Sequence, residues 1–325
     1  MSSATAVREG IYKTGLARRV ARWLDAIPHP PEAMEIAADR VAVGRWGGSG
    51  SLDAFAVEMF PPGAVIPSAV ETNLVNAGPV RNAVAKACDR LRTKAEDVAL
   101  ILPDPVIRVF VQHFEDFPRS SEEAIPLLRW KLKKSVPFEP DETIISYFRQ
   151  APRDAGVDIV TALARMRIIK EYESLAEGVG LQPGVVLSSS LAALSLLEGS
   201  RPVLMARISG SSLTTAIVRG GSLCGYRCTE LPANGAGLTP QMLLEEIFPV
   251  AAYFQDTWNE AIASVRIAGL GVRLGEFSEP IEREFHCEVK SLLNSAHSEG
   301  IIKDDARQLA DRDLDGLMGW MLHRS

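Results

Sequence analysis

The sequence predicts a two-lobed α/β protein with a small α/β insert in the first lobe. Three observations carry this. Residues 33–102 and 203–268 follow the same order of elements, three strands, a helix and a further strand. A block at about 105–180 breaks that order with its own strands and helices. At 325 residues the chain is also long for one core. The expected division is an amphipathic and linker segment over 1–30, a first lobe over 31–197 containing the insert, and a second lobe over 198–325.

The N-terminal stretch places Leu16, Val20, Trp23, Leu24 and Ile27 on one side of a helix, stopped by Pro28, Pro30 and Pro31. Such a segment suits an anionic membrane surface, docking on its own domain, or disorder. Strands follow in AMEIAA, RVAVGRW and LDAFAVEMF, with Ala38-Asp39 closing the first hairpin and GGSGS at 47–51 the second. Val80, Val84, Cys88 and Leu91 then form a helical stripe, and DVALILP reads as a strand buried on both faces.

In the insert, VIRVFVQHF alternates as a strand, and Ser120 with Glu123 opens a helix through a capping box. On that helix Ile125, Leu128, Leu132 and Val136 form one stripe, with Leu127 and Trp130 on nearly the opposite side. TIISYFRQ and VDIVTALAR are strands, IIKEYESLAEGVG is a helix ended by glycine, and QPGVVLSSSLAALSLL returns as strand and helix. The second lobe has strands VLMARIS, LTTAIVRGG and LCGYRCTEL, a helix capped by Thr239-Pro240 and running through Trp258, the strand SVRIAG and a helix around LGEFSEPIEREF. A last helix is expected from Asp304 to the end, with Ala306, Ala310, Leu314, Leu317 and Met321 on one side.

Composition narrows the function classes. Lys+Arg 35 against Asp+Glu 41 gives a net charge of -6, so no global basic field draws the chain to nucleic acid. The start MSSATAVREG lacks the apolar core of a signal peptide, which points to the cytoplasm. Cys88, Cys224, Cys228 and Cys287 show no CxxC spacing and read as buried thiols, and no metal site is expected. GGSG lacks the Lys-Ser or Lys-Thr of a P-loop. AGLGVRLG is a near miss to the dinucleotide fingerprint, with Gly269 and Gly271 spaced correctly and Gly275 one residue late.

The duplicated plan resembles the actin-like ATPase superfamily. The segments VALILPDPVIRVFVQHFEDFP and LLRWKLKKSVPFEPDETIISY, within residues 98–148, resemble PilM, the actin-like cytoplasmic component of type IV pilus machines, whose family includes related type II secretion proteins. The hairpin RPVLMARISGSSLTTAIVRGGSLCGYRCTEL resembles that family's second phosphate hairpin. The resemblance spans most of residues 31–325. It implies a nucleotide cleft whose first phosphate turn carries an Asp, with a Gly two places on. Here those positions are Glu35 and Ala37; in the second hairpin they are Arg207 and Ser209, followed by Gly210. Only the adenosine loop, AGLG at 268–271, keeps its glycines, Gly269 and Gly271.

In this fold the Asp positions orient Mg²⁺ against the phosphates, and an Arg near a divalent cation is repelled by several kcal/mol at an effective dielectric of about 20. An Arg could instead hold phosphate directly, by bidentate hydrogen bonds without metal. ATP is therefore expected to bind weakly, if it binds. Two functional classes remain open. One is a non-catalytic scaffold that, as the resemblance implies, holds the cytoplasmic N-terminus of a PilN-type single-pass protein at the inner membrane. The other is a working ATPase or small-molecule kinase. The expected peptide groove is bordered by Leu127, Trp130, Val136, Pro137 and Phe138, with Lys131, Lys133 and Lys134 adding charge steering.

Overall fold

The structure is a computed structural model that describes residues 30–46, 52–93, 95–139, 142–153, 156–197, 199–231, 237–298 and 314–322. The expected N-terminal helix, the GGSGS connection and the start of the last helix lie outside the described residues. Two five-stranded sheets share one topology. In the first lobe β1 (Glu32–Ile36), β2 (Arg40–Trp46), β3 (Leu52–Met59), β4 (Asp97–Leu102) and β8 (Gln182–Ser188) run in the order β3-β2-β1-β4-β8. In the second, β9 (Val203–Ser209), β10 (Ser212–Arg219), β11 (Ser222–Glu230), β12 (Ser264–Ala268) and β13 (Glu288–Ser291) run β11-β10-β9-β12-β13. In both, the first three strands pair antiparallel and the last two join in parallel.

Period-two alternation decides which side chains meet. On β1, Met34 and Ile36 face one core, while Ala33 and Glu35 face the other lobe. On β9, Leu204, Ala206 and Ile208 pack outward under the second lobe's helices, and Val203, Met205 and Arg207 face inward. The inward faces merge into one interlobe core, into which α8 (Asp315–Leu322) is inserted. The small residues Ala33, Ala42 and Ala99 keep that face low enough for a helix. At Gly44 an added Cβ would meet Met321 Sδ at 3.0 Å.

The predicted helices form where their stripes place them. α1 (Ala77–Leu91) buries Val80, Val84, Cys88 and Leu91, and α5 (Pro240–Trp258) buries Leu243, Ile247, Ala251 and Phe254 behind a Thr239 cap that accepts the Met242 N–H at 3.3 Å. α6 (Leu274–Phe285) packs beside α5 on the same core. α7 (Leu292–Ser298) and the strand β13 were not expected. The last helix is described only from Asp315, so Ala306 and Ala310 fall outside the described residues.

Within the insert, β5 (Arg108–Phe114), β7 (Gly156–Arg165) and β6 (Thr143–Arg153) form an antiparallel sheet in the order β5-β7-β6. It is covered by α2 (Ser121–Leu132), capped as predicted, with Ser120 Oγ accepting the Glu123 N–H at 3.3 Å. Pro126 sits within α2 without ending it. Ala124, Leu128 and Leu132 form the buried stripe; Ile125 is half-buried, and Val136 lies beyond the helix. The helix α3 (Met166–Glu177) follows β7, and its Ile168, Ile169, Tyr172 and Leu175 belong to the first lobe's core. The insert also grips the second lobe. The buried Gln150 amide donates to the Leu223 carbonyl and accepts its N–H, both at 2.7 Å, as a strand neighbour would.

Candidate functional site: a charged cluster at the lobe junction

Two of the residues expected at the phosphate turns, Glu35 and Arg207, are brought together as a buried ion pair. β1 and β9 point their C-terminal ends at each other. This places Glu35, 3% exposed, opposite Arg207, 4% exposed, with Arg207 Nη2 donating to Glu35 Oε1 at 3.2 Å. Arg207 Nη1 donates to Asp104 Oδ2 at 3.2 Å, and Arg207 Nε donates to Asp315 Oδ2. Each guanidinium nitrogen therefore has its own carboxylate, from β1, from the 3-10 turn after β4 (Asp104–Val106) and from the first residue of α8.

A second ring of hydrogen bonds holds the acids. Asp104 accepts from Ser190 N at 2.8 Å, Ser190 Oγ at 2.5 Å, Thr214 Oγ1 at 3.0 Å and Tyr226 OH at 3.4 Å. The two serines that follow β8 open the short helix α4 (Ser189–Ala193). Ser189 Oγ donates to Glu35 Oε1 at 2.9 Å, and the Leu317 N–H donates to Glu35 Oε2 at 2.7 Å. Asp104 and Asp315 were missed by sequence reasoning. The available signal was Arg207 itself, since an Arg on a strand buried on both faces requires carboxylates nearby.

The electrostatics follow from burial. Burial pushes the Glu35 carboxyl above its ordinary value; Arg207 opposes this and Asp315 adds to it. Burial works against the Arg207 charge, but Asp315, Asp104 and Glu35 together hold the guanidinium above its usual range. Burial and then the Asp104 charge raise the Tyr226 phenol well above normal, so it stays a donor. Desolvation and Asp104 likewise push the Cys228 thiol up to about 11, which leaves it unreactive at neutral pH.

The two phosphate-type turns meet across this cluster. Ser209 pairs with Ser212 around a turn in which Gly210 takes φ +60°, and a Cβ placed there would lie 3.9 Å from the Ala38 Cβ. Ala37 is 8% exposed beside it. The sequence left a metal-free Arg–phosphate contact open; here each of the three Arg207 nitrogens already donates to a carboxylate. With a guanidinium holding all three carboxylates, these residues do not fit a Mg²⁺–nucleotide.

The adenosine-type loop keeps its backbone. Gly269 has φ +86° and packs so tightly that a Cβ would fall 1.9 Å from the Ile208 carbonyl oxygen; Gly271 has φ +50° with open space around it. The residues expected at a peptide groove lie elsewhere, at the end of α2. Trp130 is 76% exposed, Pro137 is exposed, Val136 and Phe138 are half-buried, and Leu127 packs partly into the insert's own core.

No protein family profile and no curated protein matches the chain. A solved chain titled PilM-PilN type IV pilus biogenesis complex matches over 91% of this chain and 98% of its own length, at 16% identity and a TM-score of 0.72. The chain has an actin-like ATPase fold. Weaker likenesses are to a Bacteroides thetaiotaomicron protein described as having an actin-like ATPase fold (9% identity, 88% and 97% coverage, TM-score 0.49) and to the cytoplasmic domain of EpsL, an inner membrane component of the type II secretion system of Vibrio cholerae (8%, 84% and 95%, TM-score 0.48). In this actin-like chain the junction of the lobes, where β1, β4 and β9 end, is filled by protein charge. Among the described residues no helix is long and apolar enough to cross a membrane, and no cluster of metal-binding side chains occurs.

Proposed function

We propose that this chain is a non-catalytic actin-like scaffold at the cytoplasmic face of a type IV pilus or type II secretion platform, where it receives the cytoplasmic N-terminal peptide of a PilN-type membrane protein. The observation that carries the non-catalytic part is the Arg207 cluster: a guanidinium bound by Glu35, Asp104 and Asp315 stands where the resembled family places a phosphate-turn Asp. The platform and partner rest on the fold shared with the PilM–PilN structure. Calorimetry with ATP and Mg²⁺ is expected to give no heat of binding at concentrations up to the millimolar range; micromolar, Mg²⁺-dependent binding would restore the ATPase or kinase reading.

The peptide is placed against the end of α2, where Trp130 stands out beside Val136, Pro137 and Phe138. Lys131, Lys133 and Lys134, next to it in the chain and all exposed, would steer acidic flanks toward it. A buried aromatic anchor contributes about 2 kcal/mol or more to an interface, so Trp130→Ala is expected to weaken partner binding roughly thirtyfold. Because Trp130 is exposed, the same change should alter stability by less than about 0.5 kcal/mol. Partner affinity and melting temperature measured on one preparation check both statements, and unchanged affinity would remove Trp130 from the site.

A further inference from the structure

The acidic charge of the chain is concentrated in one helical layer. α5 and α6 hold seven carboxylates against a single base, Arg283, a net charge of -6 equal to that of the whole chain. α5 has no base at all, and its solvent side is also apolar. At helical spacing Glu245, Phe248, Pro249, Tyr253 and Asp256 are exposed along it, in a stripe about 17 Å long. Tyr253 is 70% and Phe248 47% exposed, while Leu243, Ile247, Ala251 and Phe254 on the other side already fill the second lobe's core. Glu245 accepts from the Gln241 amide at 3.0 Å, and neither it nor Asp256 meets a base among the described residues. Exposed aromatics bracketed by such carboxylates match a partner that is apolar along its middle and cationic at its edge.

The chain carries a segment of that chemistry outside the described residues. Leu16, Val20, Trp23, Leu24 and Ile27 recur at helical spacing over about 17 Å, and Arg19 and Arg22 flank that stripe on one side. Residues 1–29 hold five bases against two acids, Glu9 and Asp25. Length, apolar stripe and sign of charge all complement the exposed side of α5. The segment is too short to lie along α5 of its own copy. Ile27 is three residues from Pro30, which precedes β1, a reach of about 10 Å. Between the first-lobe sheet and α5 stand the interlobe core with α8 and then the second-lobe sheet, a separation of about 30 Å at roughly 10 Å per layer.

We propose that the exposed face of α5 receives the N-terminal segment of a second copy of this chain, its apolar stripe against Phe248 and Tyr253 and its arginines against Glu245 and Asp256. A single segment of a dozen residues makes a small interface, and exchange in both directions within a pair doubles it toward the roughly 1,000 Å² of a specific contact. Self-association in the micromolar range follows. The inference is independent of the scaffold reading, since it uses neither the Arg207 cluster nor Trp130.

Sedimentation velocity on the full chain, over a concentration series reaching the high micromolar range, tests this. The wild type is expected to pass from monomer to dimer as concentration rises and to return to monomer as salt is added. E245K/D256K on α5 and R19E/R22E in the segment should each weaken association by about tenfold or more. All four changes in one chain should restore it, because the charges are then exchanged rather than lost. Glu245 and Asp256 are exposed, so E245K/D256K should melt with the wild type, which separates a lost contact from a lost fold. The proposal is overturned if the wild type stays a monomer throughout, if association survives both charge-reversed variants unchanged, or if the fourfold variant does not regain it. A monomeric wild type that binds phosphatidylglycerol vesicles, with binding lost in R19E/R22E, would assign the segment to a membrane and overturn it as well.

Discussion

Arg207→Ala is expected to lower the unfolding free energy by about 3–5 kcal/mol at neutral pH, the range for removing one partner of a buried ion pair. Three carboxylates would remain at the lobe junction without the guanidinium that pairs all of them, and domains of ordinary stability have only about 5–15 kcal/mol in total. Arg207→Met separates charge from volume. It fills most of the space, so it should recover the packing part and little else. The pH dependence has a definite sign. The Glu35 carboxyl, already raised by burial, loses the opposing Arg207 charge and rises further, so its contribution to stability is intact below its ordinary unfolded value and is lost as pH rises through the raised one. The gap between wild type and variant should therefore be smallest in mild acid and widen toward neutrality. Urea midpoints at pH 4.5 and 7.5 check this. A gap that is equal at both, or an Arg207→Met protein as stable as wild type at pH 7.5, would mean that the cluster does not hold the lobes by charge.

Gly319→Ala is expected to destabilise the protein by about 1–3 kcal/mol or more, the range for forcing atoms into a packed core. Propensity alone predicts the opposite sign, since Ala is better than Gly in a helix by about 1 kcal/mol. At Gly319 a Cβ would lie 2.1 Å from the Ala192 carbonyl oxygen and 2.8 Å from the Ala193 Cα. These are backbone atoms that cannot rotate aside, so α8 would have to move off α4. Leu317, Met318, Trp320 and Met321 are all buried on α8, and its first residue, Asp315, is an Arg207 partner, so displacement loosens core and cluster together. A lower urea midpoint with faster proteolysis at the C-terminus is the expected result; a midpoint at or above the wild-type value would show that the helix contact tolerates the methyl group.

Much of the fold was legible because its signals are local. The stripe Val80, Val84, Cys88, Leu91, the cap at Thr239 and the strand runs around Glu35 and Arg207 depend on periodicity and on backbone donors within a few residues. β13 was not legible: four residues, Glu288–Ser291, are strand only because β12 offers them a parallel edge. On α2, Val136 was placed on the helical stripe, but the helix ends at Leu132 and leaves Val136 in the following turn.

The sequence by itself determined the strands that carry Glu35 and Arg207, and set both at the phosphate-turn positions only as what the resemblance implies. It could not determine what Arg207 does there. That was decided by Asp104 and Asp315, which are 103 and 108 residues away in the chain and reach the guanidinium only after β4 and α8 have packed into the junction. A buried charge is tolerated according to the partners that desolvate with it, and the chain's pattern around the charge carries no record of partners that distant.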